Sequence, residues 1–136
     1  IGLTPQSINQ LGGYKVQGKT AAAYAQLLAD AHALEQAGAF AIVLECVPPD
    51  LAQEMTRALS IPIIGIGAGP ACDGQILVFH DLIGFSGTPP AKFVKTYANT
   101  TEIVQNALRA YRDDVTKGAY PAPEHTYKPA NVNLKS

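Results

Sequence analysis

Hydrophobic positions along the chain fall into short blocks that alternate between a continuous run and a helical spacing. Phe40-Ala41-Ile42-Val43-Leu44 is an unbroken apolar run that ends in Glu45 and is followed by Cys46, Val47 and the chain-turning Pro48-Pro49. Such a run between turn signals predicts a strand covered on both faces, as in a parallel sheet flanked by helices. Ile61-Pro62-Ile63-Ile64-Gly65-Ile66 predicts a second buried strand, opening into Gly67-Ala68-Gly69. The Asp73-Gly74 turn leads into a further run from Gln75 to His80, and Ile1–Leu3 reads as the end of a strand. The expected strands are therefore 1–4, 40–45, 61–66 and 75–80.

Between them the apolar period is helical. From Thr20 to Ala37, Tyr24, Leu27, Leu28, Ala31 and Leu34 share a face, and Gly38 stops the helix. Pro49 and Asp50 suit a helix start, with Leu51, Ala52, Met55, Ala58 and Leu59 in phase. A short helix is expected near Pro90–Ala98 and a longer one over Thr101–Lys117. In the longer one Ile103, Val104, Ala107, Leu108, Tyr111 and Val115 are in phase, and Gly118 ends it. From Tyr120 onward Pro121, Pro123 and Pro129 interrupt a stretch without periodicity, which reads as an extended arm. The expected organisation is one α/β domain over 1–119 and a C-terminal tail over 120–136.

Repeated strand–helix units imply right-handed crossovers and four parallel strands with helices outside. Four units are half of an eight-stranded barrel or a small open sheet, and periodicity does not separate them. The opening Ile1-Gly2-Leu3-Thr4, with no Met, reads as cut within a strand and favours the half-barrel. Open strand edges would then predict association with further copies of the chain.

A net charge of −1 with scattered basic residues argues against nucleic acid or an anionic membrane surface as the main partner. The close basic pairs, Lys92/Lys95 and Arg109/Arg112, read as solvated helix faces. No apolar run nears the ~20 residues of a membrane span, and no signal peptide is visible. Two cysteines, Cys46 and Cys72, make no disulfide framework and lack metal-ligand spacing, so both are expected to be reduced in an intracellular protein.

Glu45 is the residue to explain. A carboxylate ending a buried strand costs desolvation energy, and in parallel α/β folds that end faces the active-site crevice. It either serves chemistry there or caps the strand and turns to solvent. Gly65-Ile66-Gly67-Ala68-Gly69 has the wrong spacing for a dinucleotide fingerprint. Its glycines permit either a sharp turn with close packing or the close approach of a substrate. His80 and Asp81 are adjacent, and neighbouring strand residues point to opposite faces, which favours structural roles. His32, His80 and His125 lack zinc spacing, and neither a nucleophile elbow nor a P-loop occurs.

Several segments taken together resemble ketopantoate hydroxymethyltransferase. They are Ile1-Gly2-Leu3-Thr4-Pro5-Gln6-Ser7, Gly12-Gly13-Tyr14-Lys15-Val16-Gln17-Gly18, Leu44-Glu45-Cys46-Val47-Pro48 and Ile61 through Gly69. Asp73 through Asp81 and Tyr120 through Tyr127 follow in the same order. The resemblance implies the C-terminal half of a (β/α)8 TIM-type barrel. It also implies transfer of a one-carbon unit from 5,10-methylenetetrahydrofolate to 3-methyl-2-oxobutanoate, giving ketopantoate on the route to pantothenate and coenzyme A. By that resemblance Glu45 is the proton acceptor. Mg²⁺ binds the keto acid through ligands upstream of this chain, with none expected within it.

The expected partners are small-molecule substrates and further copies of the chain, with neither nucleic acid nor membrane. The expected location is the cytoplasm, or the mitochondrion for a eukaryotic source. The competing readings are another metal-dependent enolate-forming barrel enzyme and a non-catalytic half-barrel that serves as an interaction module.

Overall fold

The computed structural model of the protein describes residues 1–128. Three strands, β1 (Ile42–Glu45), β2 (Ile63–Ile66) and β3 (Gly74–Gln75), lie side by side in chain order and are all parallel. Helix α1 (Ala21–Gln36) precedes β1, and α2 (Pro49–Ala58) crosses from β1 to β2. A single turn, α3 (Phe79–Leu82), and the long α4 (Thr100–Lys117) follow β3. The architecture is α/β with a parallel sheet.

Local chemistry accounts for the helix limits. Thr20 Oγ1 accepts the Ala23 N–H at the start of α1. Proline at the first position of α2 lacks an N–H that would find no partner there, and Asp50 and Arg57 stand at the ends the helix dipole favours. Asn99 accepts from the Glu102 N–H to open α4, and Gly118 closes it at φ 69°.

One face of the sheet is dry. Ile42 and Leu44 of β1 and Ile63 of β2 meet Leu51, Ala52 and Met55 of α2, with Ala31 of α1 behind them. Strand alternation then sends Val43 and Glu45 to the opposite face, where Val43 is 47% exposed. The covered face is the one the helices dictate, and the other face is open.

Three expected elements differ. The strand expected over 75–80 pairs only at Gly74 and Gln75, after which the chain turns into α3. The register explains this: Gly74 pairs with Ile64 and Gln75 with Gly65, and Ile76 N still donates to Gly65 O. Beyond Ile66, β2 turns away at Gly67 (φ 64°) and leaves no ladder for Leu77 onward. The helix expected near Pro90–Ala98 is a loop with one turn, closed by Val94 N donating to Ala91 O. Lys92 and Lys95 therefore share no helix face, and Lys95 instead sits over the Tyr97 ring.

The expected first strand is reduced to one parallel bridge, Gly2 with Glu45. Of the expected tail, Pro123–His125 forms a 3₁₀ turn, and 129–136 lies outside the described residues. No residue of α4 is buried: Ile103, Leu108 and Tyr111 are all exposed.

Exposed Val43 and Ile76 on the sheet and the uncovered stripe of α4 place apolar area in water. Residues 1–136 in isolation are therefore expected to associate. Sedimentation velocity over rising concentration should show mass above the 14.3 kDa monomer. A monomer at every concentration would contradict the expectation.

Candidate functional site

Glu45 stands at the carboxyl end of β1, and its main chain is held from both sides. Its N–H donates to Ile1 O at 2.9 Å, and its carbonyl accepts from Leu3 N at 2.8 Å. Across the other edge Glu45 is in register with Ile66, and the next N–H, that of Cys46, donates to Ile66 O at 2.9 Å. Cys46 adopts φ 52°, a left-handed conformation uncommon for a residue with a side chain. Its carbonyl accepts from Gln17 N at 2.9 Å, which brings the Gly12–Gly18 loop to the same rim.

The Glu45 carboxylate accepts no hydrogen bond from any described residue. Burial pushes its pKa above the usual glutamate range, and the nearby Ile1 ammonium pulls it back by a smaller amount. That nitrogen, held 2.7 Å from Val43 O, would be an uncharged peptide N–H in a longer chain, and the lowering pull would vanish. The arrangement gives a half-buried carboxylate whose charged form is poorly solvated, which makes a stronger base than an ordinary surface glutamate.

The glycines of the neighbouring loop are filled by close packing. A Cβ at Gly65 would lie 2.8 Å from Cys72 Sγ, one at Gly67 2.7 Å from the Phe93 ring, and one at Gly69 2.6 Å from Pro49 Cβ. Of the two readings of this motif, the turn with close packing accounts for these contacts. Gln75 Nε2 further ties the loop by donating to Gly69 O at 2.9 Å. Sequence reasoning missed Phe93 and Gln17 as neighbours of the rim. The only signal was a run of glycines with no evident occupant.

His80 and Asp81 lie in α3 and not in a strand. His80 packs between the Phe79 and Phe85 rings, at 5.9 and 5.8 Å between centroids. Asp81 lines an open cleft of 290 Å³ with Ser86, Thr88, Thr96 and Thr101. A second cleft of 380 Å³ lies between α1 and α2 around Tyr24, Asp50, Glu54 and Arg57. There the Tyr24 hydroxyl donates to Glu54, which pushes the phenol up to about 12 and keeps it protonated. Glu45 lines neither cleft.

Cys46 and Cys72 are free thiols. Cys72, in the loop after β2, sits against Gly65 of that strand. Among the described residues no group of three or more His, Cys, Asp or Glu could hold a metal ion. The described residues alone make no site for a divalent metal. No described helix is long and apolar enough to cross a membrane.

The fold and rim define a class: a parallel α/β protein with a carboxylate of raised pKa at a strand's carboxyl end. A family model described as ketopantoate hydroxymethyltransferase matches residues 1–123, and the chain belongs to that family. It is similar to the 3-methyl-2-oxobutanoate hydroxymethyltransferase of Heliobacterium modesticaldum, 58% identical over 127 residues. That alignment covers 93% of this chain and 46% of the relative. The enzyme of the same name from Moorella thermoacetica is 56% identical over 128 residues, covering 94% of this chain and 48% of the relative. That from Koribacter versatilis is 53% identical over 127 residues, covering 93% and 43%. The chain spans about half the length of these curated relatives.

Burial raises the Glu45 pKa in the folded state, so its contribution to stability is full below the unfolded value and is lost as pH rises through the folded value. Glu45→Gln should therefore melt higher than the parent at neutral pH. The gain should disappear near pH ~3.5, below the ordinary glutamate pKa of about 4.3. An equal gain at both pH values would point to something other than the charge.

Burial likewise raises the pKa of Cys46 and Cys72, so the thiolate fraction at neutral pH is below that of a free cysteine. Alkylation by iodoacetamide should be slower than for a cysteine peptide, with its rise shifted to higher pH. Equal or faster labelling at neutral pH would contradict this.

Proposed function

We propose that these residues form part of a (β/α)8-barrel hydroxymethyltransferase in which Glu45 removes the C3 proton of 3-methyl-2-oxobutanoate. The methylene carbon of 5,10-methylenetetrahydrofolate then passes to the enolate carbon: the new C–C bond replaces one C–N bond, and water replaces the other, its oxygen becoming the ketopantoate hydroxyl, while the proton taken by Glu45 and one from water restore the two amines of tetrahydrofolate. One observation carries the reading: Glu45 ends a parallel strand packed on its helix side, with its main chain locked and its partly buried carboxylate raised in pKa and free of protein hydrogen bonds among the described residues. The names of the similar bacterial proteins supply the substrate class.

Each part of the geometry has a use in this reaction. A carbon acid needs a base stronger than a solvated carboxylate, and desolvation at the strand end supplies it. The base must also hold its position, and hydrogen bonds to Ile1, Leu3 and, through Cys46, to Ile66 fix the strand that carries it. A bound Mg²⁺ would polarise the keto acid, and its ligands would come from outside this chain. The folate is a co-substrate of the whole enzyme.

The wider organisation belongs to the same proposal. Residues 1–119 contribute to the barrel and 120–136 form its tail, and the whole enzyme is a homo-oligomer. The substrates are small molecules, and neither nucleic acid nor membrane is a partner. The working location is the cytoplasm, which the bacterial relatives of a biosynthetic enzyme support.

The test is exchange of the C3 proton in D₂O without folate, which isolates enolisation from carbon transfer. In a full-length enzyme containing these residues, Glu45→Gln should lower the exchange rate by about 10²–10⁴, as expected for loss of a positioned base. Binding of the keto acid should change far less. Exchange at the parent rate would remove Glu45 from the mechanism.

A further inference from the structure

We infer that residues 85–98 form a strap over the rim, and that Phe93, seated on Gly67, is a positioning residue for the proton transfer at Glu45. The inference rests on the reading of Glu45 as the base.

The neck of the strap is closed by paired contacts. Tyr97 N donates to Leu82 O at 2.8 Å, Thr100 N to Ile83 O at 3.1 Å and Thr101 N to Gly84 O at 3.1 Å. The Thr100 and Thr101 hydroxyls donate to the same two carbonyls, Ile83 O and Gly84 O, each at 2.7 Å. Gly84 has φ 66°, and a Cβ there would lie 2.2 Å from Ala98 O, so the two ends of the strap meet this closely only over a glycine. A loop whose ends are pinned in this way is a compact body of the Ω type, able to carry one side chain to a fixed place.

That side chain is Phe93. The turn closed by Val94 N on Ala91 O presents its ring to Gly67, within 2.7 Å of where a Cβ would stand. Gly67 follows Ile66, the residue in register with Glu45, and Ile66 O holds Cys46 N at 2.9 Å. From the ring to the base the path is Gly67, Ile66, one hydrogen bond to Cys46, and Glu45. The far side of the glycine loop is already fixed, by Pro49 against Gly69 and Gln75 on Gly69 O.

Without the ring, Gly67 at φ 64° would regain the freedom a glycine has, and the carbonyl that aligns Cys46 would loosen with it. The carboxylate at the strand end would then sample positions out of line with the substrate C3. A misplacement of about 1 Å costs up to about 10²-fold in rate. The alternative is that Phe93 only fills space, as a third-exposed aromatic on a glycine can.

The experiment uses a full-length enzyme containing these residues and reads C3 exchange in D₂O for Phe93→Ala, Phe93→Leu and Glu45→Gln. Phe93→Ala should lower kcat for exchange at least about tenfold while KM for the keto acid stays within about threefold. Phe93→Leu, which still fills the seat, should recover most of the rate. Amide hydrogen exchange over 66–69 should be faster in Phe93→Ala than in the parent. A kcat loss no larger than the loss of folded protein, or a change in KM alone, would overturn the inference. The two failures are separable. Parent-rate exchange by Glu45→Gln removes the base reading, whereas parent-rate exchange by Phe93→Ala alongside an inactive Glu45→Gln removes only the strap.

Discussion

The structure depends on the parallel ladder that grips Glu45. On one edge its amide and carbonyl exchange hydrogen bonds with Ile1 and Leu3, and on the other its register with Ile66 is closed through Cys46. Parallel ladders place successive side chains on opposite faces, so Leu44 in the dry core requires Glu45 on the other side. A carboxylate placed there loses hydration without gaining a donor among the described residues. The cost of that position and the basicity it confers are one physical effect.

What surrounds the ladder serves to hold its end. Helix α2 starts at Pro49, which also packs against Gly69, so the crossover that buries Leu51 and Met55 anchors the glycine loop as well. Gln17 donates to Cys46 O, and a Cβ at Gly18 would meet Leu51 Cδ2 at 2.6 Å, so the first glycine loop is pressed onto the same strand end. Core packing and rim geometry thus share residues, and a change in one is transmitted to the other. By contrast α4 contributes no buried residue.

Much of this was legible in the sequence because it is local. The apolar run ending at Glu45, the helix opening at Pro49 and the stop at Gly118 depend on nearest neighbours, and the structure has them within a residue or two. The α1 stripe was legible as a period, although Leu34 stays 39% exposed. The strand expected to His80 failed for a non-local reason: its apolar residues suit a strand, but β2 ends at Ile66 and offers no further ladder. The helix expected near Pro90–Ala98 failed because its backbone pairs with Leu82 and its Phe93 ring is drawn onto Gly67. At the site, Glu45 could be picked out by its isolation, whereas Phe93 could be found only once the fold had brought it to a glycine.

The account turns on the ionisation of one carboxyl group. Titration of Glu45 by carbon-13 NMR, with its resonance assigned through Glu45→Gln in the full-length protein, measures it directly. Desolvation at the strand end should place the midpoint above the ordinary glutamate value of about 4.3. A midpoint at or below that value would mean that the strand end is well solvated, and the physical case for Glu45 as the base would fail.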